Sequence, residues 1–89
     1  MERLAALHYT YVEDVLERRE PHREAHLAIL RELKDAGELV MAGPVGDPPA
    51  GALIVFRSPE AAQAFVARDP YVEAGIVTSH RIEVWTIAV

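Results

Sequence analysis

The sequence predicts an α+β fold, a ferredoxin-like β-α-β-β-α-β sandwich with one antiparallel sheet and both helices on one face. Three observations predict it. Two helical stretches, each opened by a proline, alternate with four short apolar stretches of strand character. A Gly- and Pro-rich segment separates the two middle strands, as a hairpin connection would. With 89 residues and no repeat or linker, the chain forms one domain, residues 1–89, and 51% hydrophobic content is generous for so small an interior.

Each element has its own local reason. "RLAALHY" (3–9) alternates weakly and reads as a strand, and "TYVEDVLERRE" (10–20) as a helical turn or an ordered connection. Pro21 suits the first turn of a helix, where its missing N–H costs nothing. That helix runs through "HREAHLAILRELKDA" and stops at Gly37, a good C-terminal cap. "ELVMA" (38–42) is a short strand, and "GPVGDPPAG" (43–51), with three glycines and three prolines, is a loop. "ALIVF" (52–56) is a strand with no polar residue on either face. Ser58, Pro59 and Glu60 supply a hydroxyl cap, a proline and an early acid for a second helix over 59–68. "HRIEVWTIA" (80–88) closes the fold as a strand.

Direction along the chain then gathers the polar residues. If the first strand runs up, the first helix runs down and the second helix runs up. The N-terminus of the first and the C-terminus of the second therefore share one end of the domain. The 43–51 segment, the end of the first strand and the start of the last lie there too. Asp69 falls at that end, together with His22, Arg23 and His26.

His26 lies within about 40° of Leu30 and Leu33 on the helical wheel, so it points toward the sheet. An imidazole buried there needs a partner, since an unsatisfied one costs about 1–3 kcal/mol. Asp69 is the best candidate, and a carboxylate at the C-terminal end of a helix otherwise sits against the partial negative charge of the last turn. One reading is a structural histidine with a satisfied hydrogen bond. The other is a His–Asp pair in which the carboxylate orients the imidazole for acid–base work. Asp69 also has a capping role open to it, at the start of a short helix "PYVEAG" ended by Gly75. The two roles are compatible, one carboxylate oxygen capping while the other meets His26. Arg23 either holds a substrate carboxylate or is simply solvated.

Several function classes are disfavoured. A net charge of −5 argues against nonspecific binding to nucleic acid or anionic membrane, a local basic patch around Arg18, Arg19 and Arg23 aside. No apolar run approaches the roughly 18 residues of a membrane span. "MERLAALHYTYVED" lacks the pattern of a signal peptide, so a cytoplasmic location is expected. The absence of cysteine removes disulfides and thiolate metal sites. His22 and His26 have i, i+4 spacing for one metal ion, but no glutamate follows the first as in the zinc-protease motif, so neither metal nor cofactor is expected. The 43–51 loop has no Lys followed by Ser or Thr and is no P-loop.

"REAHLAILRELKDAGELVMAGP" (23–44) and "SPEAAQAFVARDPYVEAGI" (58–76) resemble the two signatures of the YciI-like (YCII) family. The first carries Arg-x-x-His-Leu and Ala-Gly-Pro, the second Asp-Pro-Tyr with a glycine shortly after. The resemblance implies a dimeric α+β barrel of ferredoxin-like subunits and an active site centred on His26 and Asp69. It also implies that Arg23, Gly43, Pro44 and Tyr71 frame the pocket, and His22 stands outside the pattern. A related member is a dehydrochlorinase of chloroaromatic breakdown, and the fold is shared with muconolactone isomerases and small monooxygenases. The segment after Gly43-Pro44 is shorter here than in longer members, so one pocket wall is missing or rebuilt.

Together these observations lead to an enzyme that abstracts a proton from a small molecule, with elimination or isomerisation as the reaction class. His26 is its acid or base, Asp69 fixes the tautomer, and Arg23 or Tyr71 orients an anionic or hydroxylated substrate. The alternative is a non-catalytic dimeric module that binds a metabolite or a protein. Assembly follows from strand alternation. Ala52, Ile54 and Phe56 oppose Leu53 and Val55, and Ile82 and Val84 oppose Trp85 and Ile87. Both sheet faces are thus apolar, the helices cover one, and a homodimer through the open face covers the other.

Overall fold

The computed structural model describes all 89 residues. Its order is β1 (Arg3–Tyr11), α1 (Val15–Arg18), a 3-10 turn (Glu20–His22), α2 (Arg23–Asp35), β2 (Leu39–Val45), β3 (Gly51–Phe56), α3 (Pro59–Arg68), α4 (Pro70–Glu73) and β4 (Val77–Thr86). The sheet order is β2-β3-β1-β4 with every neighbouring pair antiparallel. This is the ferredoxin-like sandwich, its helices on one face. No helix of the chain is long and apolar enough to cross a membrane.

Local chemistry explains the boundaries. At the end of α2, Glu38 N–H donates to Leu33 O at 3.0 Å and Gly37 N–H to Lys34 O at 3.1 Å, with Gly37 at φ +80°. That reversal needs a left-handed residue, and glycine takes it without a Cβ penalty. Ser58 Oγ accepts from Ala61 N–H at 3.1 Å and starts α3. Pro70 disfavours helical geometry at the residue before it. Asp69 accordingly turns out to φ −76°, ψ 118°, which ends α3 and allows α4 to restart at a new angle.

The strands differ from expectation at their ends. The 43–51 segment is mostly strand: β2 continues through Gly43 and Pro44, which pair with Leu53 and Ala52, and only residues 46–50 form the turn. Pro44 is tolerated because β2 is the sheet edge and needs no donor on its outer side. Pro21 belongs to the 3-10 turn, so α2 begins at Arg23. β4 occupies Val77–Thr86 in place of 80–88, drawn forward by pairing of Tyr11 with Val77.

Ala5, Leu7 and Tyr9 of β1, with Ala52, Ile54 and Phe56 of β3, form the sheet side of the core. Leu30 and Leu33 of α2 and Ala62 and Phe65 of α3 close over them. A smaller cluster of Val15, Tyr71 and Ile76 packs beneath the far end of β1 and joins α1 to α4. The open face is less uniform than strand alternation implied. Ala6 and Val55 are buried there beneath longer neighbours, and Trp85 and Met41 are exposed. His8 Nε2 lies 3.1 Å from Glu83 Oε1 across the same face.

Candidate functional site

The end of the domain where α2 begins and α3 stops brings together residues far apart in sequence. His26 Nδ1 lies 2.7 Å from Asp69 Oδ1, and Tyr9 donates its hydroxyl to Asp69 Oδ2 at 2.8 Å. Tyr71 N–H donates to Asp69 Oδ1 at 3.0 Å. One oxygen therefore serves both the imidazole and the cap of α4, and the other is taken by Tyr9. This corrects the expected division, in which cap and imidazole would use different oxygens. Tyr9 was missed by sequence reasoning. Its alternation on β1 places it on the helix face, but only the inner place of β1, between β3 and β4, brings it beneath Asp69.

A carboxylate only accepts, so the proton in the short His26–Asp69 contact belongs to Nδ1. The neutral imidazole then keeps its lone pair on Nε2, which has no partner in the chain and is not sealed from solvent. Tyr71 stacks on the imidazole, ring centroids 3.8 Å apart and planes 2° from parallel. This contact leaves the ring little freedom to rotate. His26 is 5% exposed and Asp69 2%. The pair is an inner wall whose outer nitrogen faces outward.

That nitrogen's ring lines a cleft of about 220 Å³. Arg23, Gly43, Pro44 and Tyr71 line it as well, and Asp69 lies behind His26. Two residues singled out only loosely, or not at all, complete the polar side: Arg19 and Tyr11. Pro49, supplied by the short turn after β2, lines the cleft too. His22 lies elsewhere, in a depression with Pro70 and Glu73, and no group of three His, Asp or Glu side chains has metal-binding geometry. A roomier hollow of about 300 Å³ lies on the opposite sheet face around Ala6, Leu53 and Trp85, away from the pair.

Three phenols surround the pair and all hold their protons tightly. Burial pushes the Tyr9 hydroxyl well above the ordinary phenol range, and the neighbouring Asp69 charge pushes the same way. Tyr11 is pushed up to about 12, first by burial and then by Tyr71 and Asp69, with Arg19 opposing. Burial also raises Tyr71, while Arg19 and Arg23 pull it back. At neutral pH Tyr9 is thus a permanent donor to Asp69.

The sequence of residues 4–86 matches the YCII-related domain. The chain belongs to that family. Protein YciI of Escherichia coli O6:H1 is 46% identical over 74 residues, covering 71% of this chain and 76% of that protein. Among solved structures, the 5-chloro-2-hydroxyhydroquinone dehydrochlorinase of Burkholderia phenoliruptrix, in complex with 2,5-dihydroxybenzoquinone, superposes with a TM-score of 0.75 at 25% identity and 93% coverage of both chains. A dimeric ferredoxin-like protein of unknown function from Jannaschia shares the fold, with a TM-score of 0.52, 24% identity, and coverage of 98% of this chain and 99% of that one.

Proposed function

We propose that this YCII protein is an acid–base enzyme acting on a small hydroxylated or anionic molecule, by elimination or isomerisation. The observation that carries the proposal is the asymmetry of His26: Nδ1 is held by Asp69, and Nε2 is free at the cleft. In the proposed reaction Nε2 takes a proton from the substrate as a bond to a leaving group breaks or a double bond shifts. Asp69, itself held by Tyr9, stabilises the resulting imidazolium, which returns its proton to product or water. Arg23 and Tyr71 orient the substrate, and Gly43 and Pro44 form the wall opposite α2. Likeness to a dehydrochlorinase supports elimination as the first chemistry to test.

The functional unit in this reading is a homodimer through the open sheet face, where exposed Trp85 and Met41 flank an apolar floor. A second copy packed there closes the barrel. The low exposure of His26 favours one competing reading, a non-catalytic module that binds a metabolite. Release of chloride from 5-chloro-2-hydroxyhydroquinone separates them. His26→Asn is expected to lower the rate by about 10²–10⁴-fold, the usual contribution of a positioned acid–base group. Binding of 2,5-dihydroxybenzoquinone without any turnover would leave the module, and an unchanged rate in His26→Asn would remove His26 as the acid–base group.

A further inference from the structure

Arg19 stands out among the cations of this chain. Its Nε is buried and has no hydrogen-bond partner. Arg19 and Arg23 both line the cleft, and no carboxylate lies within ion-pair distance of either. The remaining cations behave differently. Arg31, Arg57, Arg68 and Arg81 each meet a glutamate, and Arg18 and Lys34 donate to backbone carbonyls. Only Arg3, at the opposite end of β1, shares their lack of a partner. A chain with 14 acidic residues and net charge −5 has no shortage of partners, yet two guanidinium groups at the cleft have none.

Backbone geometry places these two together. Arg19 follows α1 at φ −74°, ψ −22°, and Arg23 opens α2 at φ −63°, ψ −47°. The backbone stays near helical values between them, so Arg19, Arg23 and His26, at i, i+4 and i+7, fall along one side of the chain. Tyr11 and Tyr71 line the same cleft as Arg19, whose charge opposes the rise in both their pKa values. The rest of the lining is largely apolar: Leu27 and Leu30 of α2, with Pro44, Pro49 and Ile54. The volume of about 220 Å³ falls below the roughly 300–1,000 Å³ of pockets for drug-sized ligands.

We propose that Arg19, assisted by Arg23, forms an oxyanion subsite, and that the cleft selects a single-ring organic anion whose apolar body lies on the Pro44–Pro49–Ile54 wall. The proposal rests on the His26 cleft being the substrate site and adds to it the class of molecule. The terminal nitrogens of Arg19 also have no partner in the chain and, unlike Nε, are not sealed, so a carboxylate or ionised hydroxyl in the cleft can take charge-assisted hydrogen bonds from them. A cleft of about 220 Å³ suits one ring. In the bound state the anionic end lies at Arg19, and the reacting carbon or hydroxyl is left within reach of His26.

Binding by calorimetry at pH 8 tests this with benzoate, 4-nitrophenolate, neutral benzamide and inorganic phosphate as probes. Wild-type protein is expected to bind at least one organic anion about tenfold or more tightly than benzamide or phosphate. Benzoate and 4-nitrophenolate separate a carboxylate subsite from one for ionised hydroxyls. Arg19→Gln should weaken the preferred anion by about tenfold or more, and Arg19→Lys, which keeps the charge and loses the fork, by an intermediate amount. Arg57→Gln, on the far surface, should change nothing. Equal binding by wild type and Arg19→Gln, both with native circular dichroism, would overturn the proposal. So would benzamide or phosphate matching the organic anions, or no binding of either anion. His26→Asn keeps the two ideas apart: retained anion binding with lost turnover supports both, and retained turnover removes His26 as the acid–base group while leaving the subsite.

Discussion

Replacing Tyr9 with phenylalanine removes one oxygen and leaves the ring, 4% exposed, in its place in the core. The loss falls on Asp69 Oδ2, which accepts only from Tyr9 at 2.8 Å and belongs to a side chain with 0% exposure. A hydrogen bond to a charged group contributes about 1.5–3 kcal/mol, and an oxygen sealed from water has no replacement donor. Tyr9→Phe should therefore destabilise the protein by about 1.5–3 kcal/mol, against a total of roughly 5–15 for a domain. At about 4–8 °C per kcal/mol for this chain length, the melting temperature should fall by at least about 6 °C. Urea denaturation at fixed protein concentration measures the loss directly. Tyr11→Phe is the internal control, because the Tyr11 hydroxyl makes no hydrogen bond within the chain and should cost less than about 0.5 kcal/mol. A double-mutant cycle with Asp69→Asn should then show coupling above about 1 kcal/mol. If Tyr9→Phe costs no more than Tyr11→Phe, or the cycle is additive, the hydroxyl does not hold Asp69.

Further expectations concern pH, backbone approach and assembly. Tyr9, Tyr11 and Tyr71 all have pKa values raised on folding, chiefly by burial, so the unfolded chain releases its phenolic protons first, near pH 10. Their stabilisation is complete below about pH 10 and lost as pH rises, Tyr11's share being exhausted near 12 and Tyr9's continuing beyond. Urea midpoints that stay level between about pH 9.5 and 11.5 would contradict this. Gly51 lies so close to the Tyr9 carbonyl that an added Cβ would clash with backbone, so Gly51→Ala should cost about 1–3 kcal/mol or more and displace Tyr9. An unchanged melting temperature would show that β1 and β3 can separate there. Trp85→Glu, on the open sheet face, should convert a dimer to a 9.9 kDa monomer by light scattering, and a wild-type monomer would remove the proposed interface.

How far the residues alone disclosed this site depends on the kind of contact. His26 was legible because helical periodicity fixes which way it points, and Asp69 because proline after a helix-ending acid marks a boundary. Direction of the elements put both at one end of the domain. Tyr9 was hidden, since its partner is 60 residues away and nothing local on β1 signals a hydrogen bond. Arg19 was visible only as charge, as its orphaned Nε arises from packing around the 3-10 turn. Gly43 and Pro44 looked like a loop, because glycine and proline usually end strands. At a sheet edge that rule relaxes, and pairing with Ala52 and Leu53 prevails.

The turn at residues 46–50 has a different standing from the core-facing walls of the cleft. His26, Leu30, Ile54 and Tyr71 each serve the interior as well as the cleft, so altering any of them disturbs folding along with binding. Pro49 reaches the cleft from a connection that contributes nothing to either apolar cluster. Its length can change by several residues at the modest entropic cost of a longer loop, while the His26–Asp69 pair stays as it is. The size of molecule that the cleft admits is therefore a separable property of this scaffold. Grafting longer or shorter β2–β3 turns onto an unaltered body is the direct route to redirecting it.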